Sequence, residues 1–227
     1  FAHSNGRIEA TEVDVATKLA GRVRDILVDE GTQVHAGQVL ATMQVATLDA
    51  QLREAQAQRQ QSLTAVAQAQ AQVAMRESDR AAAVAQLRRT EADLQAVKRR
   101  LARSETLAQS GATSLQTLDD DRAQATSASA AIDVARAQLN SAGAAITAAR
   151  AQVTSAQSQV EAMDATLQRI QAEIDDSQLK APRDGRVQFR VAQPGEVLGA
   201  GGKVLNLIDL SEVYMTFFLP TEAAGQL

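Results

Sequence analysis

Apolar residues recur every seven positions through the C-terminal half of this chain. Stepping from Leu118 gives Ala125, Ile132, Leu139, Ile146, Val153, Val160, Leu167 and Ile174; a second row runs Ala128, Ala135, Ala142, Ala149, Ala156, Met163 and Ile170. Two such rows form one continuous a/d seam along a helix. A weaker pair precedes it: Val45, Leu52, Arg59, Val66, Val73, Arg80, Leu87, Leu94 and Leu101, with Leu48, Ala55, Ser62, Ala69, Arg76, Ala83, Thr90 and Val97. Arginine interrupts that seam at positions 59, 76 and 80. Between Gln38 and Ala181 there is no proline, and only Gly111 and Gly143 break the run, so the stretch reads as helix. Gly111 lies near its midpoint, in Leu107-Ala-Gln-Ser-Gly-Ala-Thr-Ser114, where a left-handed glycine ends one helix and Ser114 caps the next. The pattern predicts two helices, roughly 46 to 109 and 114 to 178.

Folding the chain back about Gly111 sets against each other positions whose numbers sum to 222. Large then meets small along most of the seam, as in Leu87 with Ala135, Val73 with Ala149 and Leu167 with Ala55. Such alternation lets antiparallel helices approach closely. Leu48 with Ile174 and Leu52 with Ile170 pair large with large, so the helices are expected to splay there. Arg76 and Arg80 fall opposite Ile146 and Ala142, and reach water by laying their stems along the seam where Gly143 leaves room.

The two ends of the chain share a different pattern. Gly21-Arg-Val-Arg-Asp-Ile-Leu-Val-Asp-Glu-Gly31 repeats as Gly185-Arg-Val-Gln-Phe-Arg-Val-Ala-Gln-Pro-Gly195, at a constant offset of 164 that also matches Val34 with Leu198 and Gly37 with Gly201. Short apolar runs bounded by glycine turns are strands. Neither half buries a core alone, so both strand sets are expected to pack together, with the helices inserted between them. Val213, Met215, Phe217 and Leu219 then alternate at period two, which predicts a further strand.

Composition sharpens this picture. The 45% hydrophobic fraction includes 46 alanines, which bury little area, and 26 residues are glutamine. That is the composition of long helices and coiled coils, and it argues against a globular enzyme. The absence of cysteine excludes a disulfide framework, a thiolate zinc site and a cysteine nucleophile. A formal net charge of −4 gives no general attraction to nucleic acid. No run of 18 apolar residues spans a bilayer, and the stretch opens on Phe1 rather than Met, so an N-terminal signal or anchor is expected to lie outside it. His3 and His35, 32 positions apart, read as surface histidines and not metal ligands. Asp175-Asp176 has no accompanying nucleophile and reads as a helix end, and Gly199 to Gly202 reads as a tight hairpin. No catalytic, metal or cofactor site is expected.

The spacing Gly-x-Val-x-x-x-x-Val-x-x-Gly-x-x-Val-x-x-Gly-x-x-Leu from Gly21 to Leu40, repeated after Ala181-Pro182, resembles the biotinyl/lipoyl domain. The turns so implied are at Gly21, Gly31, Gly37, Gly185, Gly195 and Gly201. Carriers of that fold join their halves by a tight hairpin presenting a modified lysine. Here the join is the helical hairpin, and no lysine occurs between Lys18 and Lys98.

A lipoyl domain split by a helical hairpin resembles the HlyD-type periplasmic adaptor, or membrane fusion, family. The implied fold is α+β: a long antiparallel two-helix coiled-coil hairpin inserted into a split lipoyl/biotinyl-like β-sandwich, with the start of a β-barrel module at the C-terminus. The implied divisions are 1–45 and 179–210 for the lipoyl-like halves, 46–178 for the hairpin with its turn near 110–113, and 211–227 for the truncated barrel. In adaptors that meet a TolC-type outer-membrane channel the tip resembles Arg-x3-Leu-x6-Ser, present here as Arg103, Leu107 and Ser114 beside the structural turn at Gly111. The residues alone also allow a plainer reading, in which Leu107 covers the end of the seam, Ser114 is only a cap, and Arg103 pairs with Asp119. Lys98-Arg99-Arg100 opposite Asp119-Asp120-Asp121 reads as a solvated ion-pair network.

The resemblance implies a non-enzymatic, cofactor-free adaptor in a multidrug efflux or secretion system. Its location would be the periplasm, with an inner-membrane anchor absent from this stretch. Its partners would be an outer-membrane channel of the TolC type, an inner-membrane transporter that is ATP-driven or secondary, and further copies of itself, six in the working state. Two rivals stay open: a lipoyl or biotinyl carrier, and a structural coiled-coil spacer.

Overall fold

A computed structural model describes residues 5–218, so His3, Leu219 and Pro220 lie outside the described residues, as do the outermost positions of the 1–45 and 211–227 segments. The chain divides into two compact units, Phe1–Gln56 with Ala165–Leu227, and Ala57–Asp164.

The first unit holds eight strands in two four-stranded sheets. β1 (Asn5–Ala16), β8 (Lys203–Phe218), β6 (Gly185–Arg190) and β3 (Gln33–Val34) form one, in that order; β5 (Gln178–Lys180), β4 (Val39–Met43), β2 (Gly21–Ile26) and β7 (Val197–Leu198) form the other. The internal repeat becomes a pseudo-two-fold relation in three dimensions. β3 pairs β6 through Gln33 with Arg186, and β2 pairs β7 through Arg22 with Val197, the same pairing shifted by the repeat offset. The loop bonds repeat too: the Gly31 amide donates to the Val187 carbonyl and the Gly195 amide to the Val23 carbonyl, each at 2.8 Å. The amides of Gly37 and Gly201 donate likewise to Ala181 and Thr17, again at 2.8 Å. Each half therefore satisfies the turn amides of the other, so neither is a folding unit by itself.

The buried core draws on both halves: Val15, Val23, Val28, Val34, Leu40, Ala41 and Met43 from the first, and Leu179, Ala181, Val187, Ala192, Val204, Leu205 and Leu207 from the second. Four of the six repeat glycines are turns with φ between 81° and 89°, at Gly31, Gly37, Gly195 and Gly201. Gly21 and Gly185 are instead the first residues of β2 and β6. At Gly185 the reason for glycine is close approach, since a Cβ there would lie 2.8 Å from the Ile208 carbonyl oxygen.

Two boundaries differ from those read in the sequence. The second helix ends at Asp176, where Ser177 turns its hydroxyl onto the Ile174 carbonyl at 2.5 Å and β5 begins at Gln178 so that Leu179 enters the core. Val213 and Met215 do not open a new strand. They continue β8, whose pairing with β1 shifts register between Ala10/Thr11, opposite residues 210–212. Asp209 organises that bulge by accepting from the Ser211 amide at 2.9 Å and hydroxyl at 2.6 Å. Those bonds, with a lesser contribution from Arg183, hold its carboxyl below the ordinary range.

Between β4 and β5 the chain runs through α1 (Ala46–Gln109) and α2 (Leu115–Asp176). α1 has 64 residues, about 95 Å at ~1.5 Å per residue. In the second unit, formed by the bulk of both helices, the heptad rows are the covered rows. Leu118, Ile132, Ala135, Ile146 and Ala149 are buried, and residues off the rows are largely exposed. Cross-hairpin contacts set the register. Arg59 pairs with Asp164 and Arg100 with Asp121, numbers that sum to 223 and 221. Two further pairs, Glu77 with Arg150 at 2.9 Å and Glu105 with Arg122 at 4.0 Å, both sum to 227 and lie along one edge of the seam. Ala135 and Ala149, which this register sets opposite Leu87 and Val73, are only 3% and 4% exposed. Where arginine interrupts the seam a cavity of about 410 Å³ opens, lined by Glu77, Arg80, Gly143, Ile146, Thr147 and Arg150.

Gly111 has φ 71° with nothing near its missing Cβ, so its glycine is required by backbone conformation and not by space. Gly111→Ala should therefore destabilise the hairpin by about 1–2 kcal/mol, the cost of a left-handed L-residue. Urea denaturation followed by helical circular dichroism checks this.

Candidate functional site

α1 ends in a complete Schellman motif. The Ala112 amide donates to the Leu107 carbonyl at 2.8 Å and the Gly111 amide to the Ala108 carbonyl at 3.1 Å. The Ser110 hydroxyl also donates to the Leu107 carbonyl, at 2.9 Å. α2 opens three residues later with Ser114 as N-cap, its Oγ accepting from the Thr117 amide at 3.1 Å and lying 2.8 Å from the Thr117 hydroxyl. Each helix end thus carries a local cap.

The capped turn leaves apolar surface uncovered. Leu107 is 47% exposed and Leu115 is 74% exposed. The plainer reading, in which Leu107 closes the seam, does not describe its position, since it lies one residue off the row that ends at Ala108. Ser114 is engaged as a cap, and in its 2.8 Å contact with the Thr117 hydroxyl either oxygen can donate. Arg103 is exposed one helical turn before Leu107 and forms no ion pair among the described residues. Asp119, its expected partner, lies instead 3.7 Å from Arg122 on its own helix.

Below the turn the charged cluster is partly buried. Asp121, only 3% exposed, accepts from the Ser104 hydroxyl at 2.5 Å and from Arg100 Nε at 2.9 Å. This departs from the solvated network read in the sequence: Asp121 lies on the α2 seam seven residues before Ala128, and Ser104 on the α1 seam seven after Val97, so they face each other. The bond staples the two helices just beneath the turn. Asp121→Ala leaves the buried Ser104 hydroxyl and Arg100 without their acceptor and should cost about 1–3 kcal/mol, with Asp121→Asn costing less. Thermal melting of the two variants measures the difference.

Leu115 is the residue that sequence reasoning missed. Its signal was available: a leucine directly after a cap and off both heptad rows has no seam to cover.

His35 is a surface residue, 75% exposed, whose Nδ1 lies 3.7 Å from Asp184. Among the described residues no three His, Cys, Asp or Glu side chains gather as a metal site, and no helix is long and apolar enough to cross a membrane. A cavity of about 500 Å³ in the first unit is lined by Thr17, Leu19, Met43, Leu48, Glu173 and Asp176 among others. Its carboxylates are already paired, Asp176 with Lys18 and Glu173 with Arg169, each at 2.5 Å.

No family model and no curated protein matches the sequence. Solved structures do match in shape. The periplasmic adaptor protein EmrA aligns over 97% of this chain and 78% of its own, with TM-score 0.52 and 16% identity. The soluble domain of LipC, a membrane fusion protein of a type I secretion system, aligns over 88% of this chain and 100% of its own, with TM-score 0.48 and 15% identity. MacA from Actinobacillus actinomycetemcomitans aligns over 95% of this chain and 56% of its own, with TM-score 0.45 and 21% identity. This chain therefore spans little more than half of MacA. At this level of identity the likeness to EmrA establishes architecture. The chain has the fold of a periplasmic adaptor protein, an α+β chain whose long helical hairpin is inserted into a split β-sandwich.

Proposed function

We propose that this chain is the periplasmic part of an HlyD-type adaptor in a tripartite exporter, linking an inner-membrane transporter to a TolC-type outer-membrane channel. It makes and breaks no bond. The observation that carries the reading is the tip, where two leucines stand exposed beside a turn whose two helix ends are capped. Burying both in a groove between channel helices is worth about 2 kcal/mol each. Arg103 would supply a guanidinium donor and Ser114 a hydroxyl donor at the rim, fixing register. Repetition around a ring of copies multiplies a weak single contact.

On this reading residues 1–45 and 179–210 are the docking base, 46–178 the hairpin, and 211–227 the beginning of a barrel module. The carrier alternative is disfavoured because helices replace the lysine-bearing hairpin between β4 and β5, with no lysine between positions 18 and 98. A bare spacer gives no reason for exposed leucines on a capped turn. Affinity purification of the full-length protein, membrane-anchored as the reading requires, should co-elute an outer-membrane channel and an inner-membrane transporter; recovery of biotinyl- or lipoyl-dependent enzymes instead would overturn the reading.

A further inference from the structure

The internal repeat places two cavities at equivalent points of the sandwich, and they are built differently. One, of about 330 Å³, lies at the start of β6 and is lined by Asp184, Gly185, Arg186 and Asp209 among others. The other, of about 500 Å³, lies at the start of β2 and is lined by Ala20, Gly21 and Arg22, which match Asp184, Gly185 and Arg186 at the repeat offset of 164. The arginine is kept in both places, as the second residue of its strand. Its surroundings are not.

Around Arg186 the charges balance. Arg183 meets Asp209 at 3.4 Å, and Asp184, 3.7 Å from His35, lines the same cavity as a counter-charge to Arg186. Around Arg22 the repeat has lost those charges: Leu19 stands in the place of Arg183, Ala20 in that of Asp184 and Val45 in that of Asp209. The acids that do line the larger cavity, Glu173 and Asp176 in the last turns of α2, each hold a cation already, Arg169 and Lys18, at 2.5 Å. Arg22 has no ion pair and no side-chain hydrogen bond among the described residues. One positive charge at this cavity is therefore left uncompensated.

Apolar side chains line the same hollow. Met43 is 5% exposed and lies under Gly21, where a Cβ would stand 3.4 Å from the Met43 Cε. Leu19 is exposed and Leu48 half-buried, so both keep hydrocarbon open to solvent. The remaining polar lining, such as Gln44, Thr47 and Gln51, is uncharged. A hollow of this volume takes a small organic molecule. The guanidinium suits a carboxylate or sulfonate, which it can grip with two parallel hydrogen bonds. The thioether and the leucines suit a hydrocarbon body.

We propose that the cavity at the start of β2 binds an amphipathic organic anion, its carboxylate or sulfonate on Arg22 and its hydrocarbon against Leu19, Met43 and Leu48. The equivalent cavity at β6 does not, because Asp184 and Asp209 repel an anion there. The site uses no residue of the hairpin turn, so it stands apart from docking to a channel.

Isothermal titration calorimetry of the chain with decanoate and with decyltrimethylammonium, both below their micelle concentrations, tests this. Decanoate should bind at sub-millimolar concentration, and the cation at least about tenfold more weakly. Arg22→Gln should weaken decanoate binding about tenfold, and Arg22→Lys should weaken it less, since lysine keeps the charge but not the fork. Ala20→Trp should fill the cavity and remove decanoate binding while circular dichroism stays unchanged. Arg186→Gln, in the equivalent cavity, should leave decanoate binding as it is. Equal affinity for the two probes, undiminished decanoate binding by Arg22→Gln, an equal loss in Arg186→Gln, or no binding of decanoate overturns the proposal. Failure of the tip to capture a channel would defeat the docking reading and leave this one intact.

Discussion

Replacing Leu107 by aspartate should abolish export by the full-length protein while leaving helical circular dichroism unchanged. The side chain is half-exposed and off the seam, so its loss removes little from the hairpin's own stability. The new charge lies in the last turn of α1, where the helix dipole disfavours an anion by about 0.3–1 kcal/mol. In a docked complex the same carboxylate would be taken out of water without a partner, at a cost of several kcal/mol, repeated at each copy. Leu115→Asp separates these effects further. It occupies the first position of α2, where an acid is favoured by the dipole, so the variant should be as stable as the parent and still fail to export. Normal transport by both variants, measured as survival of cells challenged with an exported compound, would remove the tip from the mechanism.

The second large effect lies in the sandwich. Leu40 and its repeat equivalent Val204 are both fully buried, at 0% exposure. Leu40→Ala should destabilise the first unit by about 3 kcal/mol and Val204→Ala by about 2 kcal/mol, the range for cavities left in a packed core. Because each half supplies the other's turn acceptors, both variants should lose the strands of both halves in one urea transition. Two separate transitions, or a change below about 1 kcal/mol for Leu40→Ala, would contradict the interlocked core.

Much of this was legible from residue order because two periodicities are long and regular. The seven-residue rows required a helical hairpin, and Gly111 with Ser114 placed its turn, since a left-handed glycine and a hydroxyl cap each have a local cause. The repeat offset of 164 required two halves that pack together, because either alone exposes its apolar residues. What was not legible depended on neighbours distant in sequence. Gly185 reads as a turn until the Ile208 carbonyl is seen against it. Asp121 reads as a solvated acid among three until Ser104 and Arg100 are seen to cover it. Val213 and Met215 read as a fresh strand because alternation cannot distinguish a new strand from one that continues past a bulge. Arg103, Leu107 and Ser114 come from the resemblance alone, and the structure adds only their place beside the turn at Gly111, whereas the exposure of Leu115 follows from where the cap falls.

The most direct test of the docking claim is photo-crosslinking in living cells that contain the whole export system. A photoreactive amino acid at Leu107 or Leu115 should capture an outer-membrane channel protein, while the same probe at Ala71, midway along α1, should not. Capture at Ala71 alone, or no channel adduct at either leucine, would contradict the account.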